Sequence, residues 1–564
     1  MKKTFLIVLL LLSCVFIFAQ LNPWLWATKA GGTAYDKGYS IAIDVSGNSY
    51  VTGYFSGPAT FGSTTLTSYG DYDIFVAKLD SSGNWLWAKN AGGTGFDEGW
   101  SIAVDASGNS YVTGYFNSTV TFGSTTLESN GYDDIFVAKL DSRGKWLWAK
   151  KAGGTAYDKG YSIAIDASGN SYVTGYFQGT ATFGSTTLTS SGSQDIFITK
   201  LDSSGNWLWA KNAGGTSENY GFSIAVDASG NSYVTGVFVG TASFGSTTLE
   251  SNGYDDIFVA KLNSSGDWLW AKNAGGSDDY DNGWSIAIDA SGNSYVTGYF
   301  SGPATFGSTT LTSNGDWDIF VAKLDMRGNL LWAKNAGGTS DDIGYDIAVD
   351  ASGNSYVTGY FESTTATFGS TTLTSCGEYD IFIAKLDSRG DWLWAKNAGG
   401  TYRDEGDGIA VDASGNSYVT GYFQGSATAN ATFGNINIYG SGESLNIDIF
   451  VTKVHIPYYP KNVPIIEETY GIPVTVSGGD ADRGTLDSFP PVPDPNATYK
   501  KFNFILDNSI PNWTITMQTS HTYGAYYQNN SWNVVNGNGT EIVFNINLNG
   551  SKGAVEVPII LGNE

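Results

Sequence analysis
The tetrapeptide Trp-Leu-Trp-Ala begins at Trp24, Trp85, Trp146, Trp207, Trp268 and Trp392, and a variant, Leu330-Leu331-Trp332-Ala333, completes the series. Successive copies are 61 or 62 residues apart, and the last runs from Trp392 to Val454, which makes seven. Near-identical copies at a fixed spacing restrict the chain to arrays in which each unit buries its apolar surface against its neighbours. Thirteen of the 18 tryptophans belong to this one element, so the aromatic richness is a property of the repeat.

Inside a copy the punctuation is constant. In the second, Trp85–Ala91 leads to Gly92-Gly93 and a polar loop, followed by Ser101–Asp105, the turn Ala106–Asn109, and Ser110–Phe116. A longer polar loop containing Thr121–Leu127 comes next, then Asp134–Leu140 and a turn into the next Trp pair. Short β-branched and aromatic runs between Gly, Asn, Asp and Ser turns read as four strands. Nowhere do apolar residues keep helical spacing over three turns. Both alternating faces of Ile135–Ala138 are apolar, as a sheet covered on both sides requires. Four antiparallel strands repeated seven times predict an all-β chain, a seven-bladed β-propeller. The Trp strand at 24–30 precedes any complete blade, and the seventh copy lacks a following one. Trp24–Ala30 is therefore expected to pair with Ile449–Val454 and close the last blade, removing two exposed edges.

The unit Ile-Ala-Val-Asp-Ala-Ser-Gly-Asn-Ser-Tyr-Val-Thr-Gly-Tyr-Phe, followed by Thr-Phe-Gly-Ser-Thr-Thr-Leu and Asp-Ile-Phe-Val-Ala-Lys-Leu-Asp, resembles the SBBP repeat, a bacterial β-propeller repeat. The resemblance covers about 24–454. It implies a secreted or cell-surface protein and carries no common catalytic mechanism.

Chemistry is narrowed by what is scarce. Both histidines, His455 and His521, fall after the repeats, which excludes His-metal clusters, Ser-His-Asp triads and Cys-His dyads from 1–454. Met1-Lys2-Lys3, the apolar run Phe5–Phe18 and Ala19 have the layout of a secretory signal peptide, 1–19. Leu11-Leu12-Ser13-Cys14 leaves a lipoprotein alternative through Cys14. Cleavage after Ala19 would leave Cys376 alone, a small half-buried loop residue with no disulfide partner. It would also make the net charge of −25 two units more negative. Such a surface repels nucleic acid and suits cations, neutral glycans or basic partners. No later apolar stretch is long enough for a transmembrane segment.

Two sets of candidate ligand-binding residues follow. A ring of leading residues, Asp36, Asp97, Asp158, Asn219, Asp281, Asp342 and Asp404, stands before the first strand of each blade. If that strand is innermost, the ring lies at one channel mouth, where it would hold a cation such as Ca²⁺ or simply cap its own loop. The turn aspartates (Asp44, Asp105, Asp166, Asp227, Asp289, Asp350, Asp412) are read as hydrogen-bond acceptors that hold their turns. After the propeller (20–454, repeats starting at 24, 85, 146, 207, 268, 330 and 392) come a Pro-rich linker, 455–464, and a small β-sandwich-like domain, 465–564. There Tyr523, Tyr526, Tyr527 and Trp532 are either core packing or an aromatic platform for a glycan. The chain reads as a non-enzymatic binding or scaffold protein of the bacterial envelope, contacting protein or glycan and needing no cofactor. An extracellular polysaccharide hydrolase or lyase and a purely structural envelope component are the alternatives.

Overall fold
Alternation and turn chemistry assemble each repeat into an antiparallel sheet. The computed structural model describes residues 23–277, 280–442 and 446–456, and beyond them eight strands between Val474 and Gly562. In the second repeat Asp97–Val104, Ser110–Phe122, Thr125–Leu140 and Trp146–Gly154 pair in that order. In the first, the order is Asp36–Ile43, Ser49–Phe55, Asp73–Leu79 and Trp85–Gly93. The third strand is buried along its whole length at Asp73–Leu79 and Asp318–Leu324, because its apolar side chains alternate toward two covered faces. The result is an all-β, propeller-like fold.

The first Trp strand, Trp24–Gly32, pairs antiparallel with Asn446–Val454, with Trp24 opposite Val454 and Ala30 opposite Ile449. The same Asn446–Val454 strand pairs on its other side with Ser417–Gly425. First strands of successive repeats are stitched sideways. Ile102 N–H donates to Ser40 Oγ (3.3 Å), Ile163 to Ser101 (3.2 Å), Ile224 to Ser162 (3.2 Å) and Ile286 to Ser223 (3.2 Å).

Two expectations are corrected. The stretch read as a polar loop around Thr121–Leu127 is a β-hairpin, with Thr125 opposite Phe122 and Leu127 opposite Val120. Its alternation is short but real: Val120 and Phe122 are buried, while the Thr121 and Thr126 hydroxyls meet at 3.2 Å on the wet face. The hairpin receives the preceding Trp strand, since Gly92 pairs with Thr121 and Gly93 with Val120. A Cβ on Gly93 would lie 1.6 Å from the Thr119 carbonyl oxygen, so only glycine permits this crossing between repeats. Cys376, expected half-buried, is exposed; its backbone N–H donates to Asp380, and its side chain stays outside the packed sheet.

The chain divides into two compact units, Met1–His455 and Ile456–Glu564. In the second, a five-stranded sheet runs Leu486–Ser488, Tyr499–Asp507, Ala554–Gly562, Tyr523–Gln528, Ser531–Asn536, and a three-stranded sheet runs Val474–Ser477, Asn512–Gln518, Glu541–Asn547. The signal segment 1–19 with Cys14, and the linker beyond residue 456, lie outside the described residues.

Candidate functional site
The leading ring is placed at the start of the first strands, beneath the surface. Asp36, Asp97, Asp158, Asn219, Asp342 and Asp404 have no exposed area, and Asp281 has 2%. Their carboxylates are occupied by backbone. Asp36 Oδ2 accepts Gly32 N–H at 2.7 Å, and its Oδ1 accepts Ser56 N–H at 3.2 Å. Asp97 does the same with Gly93 and Asn117, Asp158 with Gly154 and Gln178, and Asp404 with Gly400 and Gln424. In each case one aspartate ties the arriving Gly-Gly corner to the hairpin of its own repeat.

Each leading residue has a second buried carboxylate beside it, at the head of a third strand: Asp448, Asp73, Asp134, Asp195, Asp256, Asp318 and Asp380. In all seven, Oδ2 or its neighbours take backbone hydrogen bonds, as from Tyr69 N–H to Asp73, while Oδ1 has no hydrogen-bond partner. At Gly31 the Cβ position would lie 2.0 Å from Asp448 Oδ1 and 3.0 Å from Asp36 Oδ2, so the two oxygens converge on one glycine Cα–H. Gly153, Gly275, Gly337 and Gly399 sit between their pairs in the same way. Burial, and then the neighbouring carboxylate, push the acids upward: Asp36 to about 8, and Asp97, Asp158, Asp281 and Asp342 to about 7. Asn219 fills the same place with an amide, whose Nδ2 donates to Gln194 O at 3.1 Å and Ser217 O at 3.0 Å and lies beside Gly214 where the aspartates put an oxygen.

On the first-to-second-strand turns, Asp44 Oδ1 accepts Ser46 and Asn48 N–H at 2.9 and 3.0 Å, and its Oδ2 lies 3.5 Å from Lys78 Nζ. The Tyr50 ring lies beneath that ammonium at 4.5 Å, and its hydroxyl reaches Gly108 O of the next repeat. Lys139–Asp105, Lys200–Asp166, Lys261–Asp227, Lys323–Asp289, Lys385–Asp350 and Lys453–Asp412 repeat this arrangement.

A cavity of about 240 Å³ lies where the first strands of all seven repeats meet. None of the leading ring lines it. Its wall comes from the residue three positions later: Tyr39, Trp100, Tyr161, Phe222, Trp284, Tyr345 and Asp407. The six rings touch in sequence, with centroids 4.5, 4.7, 5.7, 4.4 and 5.7 Å apart. Asp407 completes the series, and Lys37 from the first repeat binds it at 3.0 Å while reaching Glu405 at 3.2 Å. The Lys37 ammonium lies 5.1 Å from the Tyr39 ring centre and 4.6 Å from that of Tyr422. Beneath the rings, Ser40, Ser101, Ser162, Ser223, Ser285 and Asp346 form a polar tier. Asp346 accepts Ser285 Oγ–H at 2.6 Å and Ile409 N–H at 2.7 Å.

Burial raises Asp407, the Lys37 ammonium pulls against that rise, and repulsion from the Glu405 carboxylate adds to it. Lys37 loses solvation too, yet Asp407 and Glu405 together hold it charged. Asp407 Oδ2 is buried and has no hydrogen-bond partner. Sequence reasoning missed this site by treating the copies as interchangeable. The signal was one column of the repeat, which reads Tyr, Trp, Tyr, Phe, Trp, Tyr and then Asp. Backbone pairing places Tyr527 opposite Trp532 and Tyr523 opposite Asn536 across one hairpin; the side chains of Tyr523, Tyr526, Tyr527 and Trp532 lie outside the described residues.

Fold and site together define a propeller-like repeat protein with an asymmetric cavity among its first strands. The family model of the SBBP beta-propeller repeat matches it at residues 25–54, 147–176 and 331–360, and the C-terminal region is assigned to no family. An uncharacterised WD repeat-containing protein of Acanthamoeba polyphaga mimivirus is 25% identical over 550 residues, covering 80% of this chain and 39% of that protein. The regulatory protein FlaEY of Caulobacter vibrioides is 28% identical over 323 residues, covering 51% and 33%. The chain thus spans well under half the length of these curated relatives. Among solved structures, the Pan2 WD40 domain of Neurospora crassa is similar at 10% identity, with a TM-score of 0.34, covering 77% of this chain and 97% of that one.

Proposed function
We propose that this chain is a non-enzymatic binding or scaffold protein, secreted or held at the cell surface, whose seven four-stranded blades close into one ring. The pairing of Trp24–Gly32 with Asn446–Val454, and the Lys37 bridge to Asp407, support the closed ring. A single observation carries the functional reading. The aspartate pairs and the Asp-Tyr-Lys turns recur in repeat after repeat and are consumed in holding it, whereas the axial cavity breaks the pattern by setting Asp407 where six repeats have an aromatic ring. Catalysis needs unlike groups around one reacting atom. Here the cavity carboxylates are tied to Ser285, Ile409 and Lys37, and a cavity of about 240 Å³ is too small to admit a polysaccharide chain. The WD-repeat relative supports a scaffold more than a hydrolase.

Fractionation of cells expressing the full chain, with and without 1–19, tests location; retention of envelope protein or glycan by the purified chain tests binding. Export that does not depend on 1–19, or turnover of polysaccharide by the pure chain, would overturn the proposal.

A further inference from the structure
We infer that the axial cavity binds an alkylammonium group, the charge meeting Asp407 and the carbon shell meeting the aromatic collar. This deepens the binding reading above by naming a ligand chemistry.

Charge is the first argument. Asp407 and Asp346 line the cavity, Glu405 lies behind Asp407 on the same Lys37 ammonium at 3.2 Å, and Glu98 accepts Trp100 Nε1–H at 3.0 Å. Lys37 is the ammonium placed among them. Lys159, from the neighbouring first strand, is bound at 3.2 Å by Asp133 and so does not compensate the group. A desolvated carboxylate oxygen without a donor is costly, and Asp407 Oδ2 is such an atom, on a side chain 9% exposed. The two carboxylates of the lining, Asp407 and Asp346, outnumber its single ammonium, Lys37, so a further cation would balance the charge.

The wall decides what kind of cation. Calcium or magnesium takes six or more oxygen ligands. Here six of the fourteen lining residues are aromatic and only two are carboxylates, and among the described residues no group of three His, Cys, Asp or Glu side chains could hold a metal ion. Aromatic rings with an adjacent carboxylate suit a soft organic cation. The chain already uses this recognition on itself, because the Lys37 ammonium rests against Tyr39 and Tyr422 while bound to Asp407 and Glu405. The volume, about 240 Å³, lies below the range of roughly 300–1,000 Å³ common for drug-sized ligands, so the occupant is small. A free quaternary amine and a lysine side chain of a partner present the same chemistry.

The test uses the full chain and three probes, followed by calorimetry and tryptophan fluorescence. The probes are choline, butylammonium, and the uncharged isostere of choline with carbon in place of nitrogen. Choline or butylammonium should saturate, with the neutral isostere weaker by roughly tenfold or more. Preference for butylammonium over choline would point to a lysine side chain as the natural source, and the reverse to a free quaternary amine. Asp407→Asn should weaken the preferred cation about tenfold while leaving the isostere unchanged. Asp407→Tyr, which restores the aromatic of the other six repeats, should abolish the preference for charge. Equal affinity for cation and isostere, or no saturation by either cation, overturns the inference on the unmodified chain alone. Retention of envelope partners with no cation binding would sink this inference and leave the broader reading standing.

Discussion

Gly93 and Asp407 show two opposite uses of a single position. Gly93 is constrained by its neighbours' backbone: the Thr119 carbonyl occupies the space a methyl group would need. Gly93→Ala should therefore cost about 1–3 kcal/mol by forcing the crossing apart. Gly57, with φ at +64° and nothing within 4 Å of a Cβ, should lose only the conformational part on substitution by Ala, roughly 1 kcal/mol. Urea denaturation of both variants measures the difference, and equal losses would refute the steric account. Asp407 is unlike its six counterparts because it stands where the last repeat meets the first and takes the Lys37 ammonium. Removing one member of a buried ion pair strands the other. Lys37→Met should destabilise the chain by about 3–5 kcal/mol, and the double variant Lys37→Met/Asp407→Tyr should recover much of it. Calorimetric melting of the pair decides, and a double variant no better than the single one would count against the bridge.

At the scale of elements, the fourth strands connect everything, each finishing its own sheet and then pairing with the next repeat's hairpin. Phe122 anchors that hairpin with 1% exposure, edge-on to Trp146 at 5.0 Å. Phe122→Ala should cost about 3–5 kcal/mol and release Thr121 and Val120 to hydrogen exchange ahead of the rest of the sheet. Deleting Trp24–Gly32 leaves Asn446–Val454 with one open edge. The truncated chain should self-associate, which light scattering on a sizing column would detect, and a strictly monomeric product would contradict it. These elements were legible in the sequence because strand period and turn residues are local signals: Asp97–Val104, Ser110–Phe116 and Trp146–Ala152 follow from them directly. The hairpin was not, since four residues a side, half of them Thr, carry too few apolar positions to show a period. Its identity comes from Gly92 and Gly93 of the preceding strand, a partner distant in sequence that no local window contains. The axial cavity was illegible for a related reason. Tyr39, Trp100 and Asp407 look ordinary in their own strands and become a site only when the first strands are brought together.

Across the whole molecule, the buried aspartates set an unusual response to acid. A carboxyl whose folded pKa exceeds its unfolded value binds more protons folded than unfolded. Its contribution is complete below the unfolded pKa, near 3.8, and is lost as pH rises through the folded one. With Asp97, Asp158, Asp281 and Asp342 at about 7 and Asp36 at about 8, stability should fall between about pH 4 and about pH 8. The turn aspartates act in the opposite sense. Asp44, Asp166, Asp289 and Asp412 are buried somewhat, but their Asn and backbone donors hold them below the ordinary carboxylate value. Their stabilisation is present above the unfolded pKa and drops away as pH falls through the folded one. Melting temperature should therefore peak in mild acid. Replacing Asp97 and Asp158 with Asn, as nature has done at Asn219, should flatten the decline above the peak. A melting temperature that rises steadily from pH 5 to 8 would refute this. The union of Trp24–Gly32 with Asn446–Val454 also has a meaning in time. Thr452 meets the Trp26 carbonyl across 426 residues, so Trp24–Gly32 must wait for the last strand of the repeats. At roughly 5–20 residues per second, that delay is roughly 20–90 s of synthesis, during which a tryptophan-rich ribbon has no mate of its own. A ribosome stalled partway thus leaves an adhesive fragment, and quality control of the repeats amounts to asking whether the first and last of them have met.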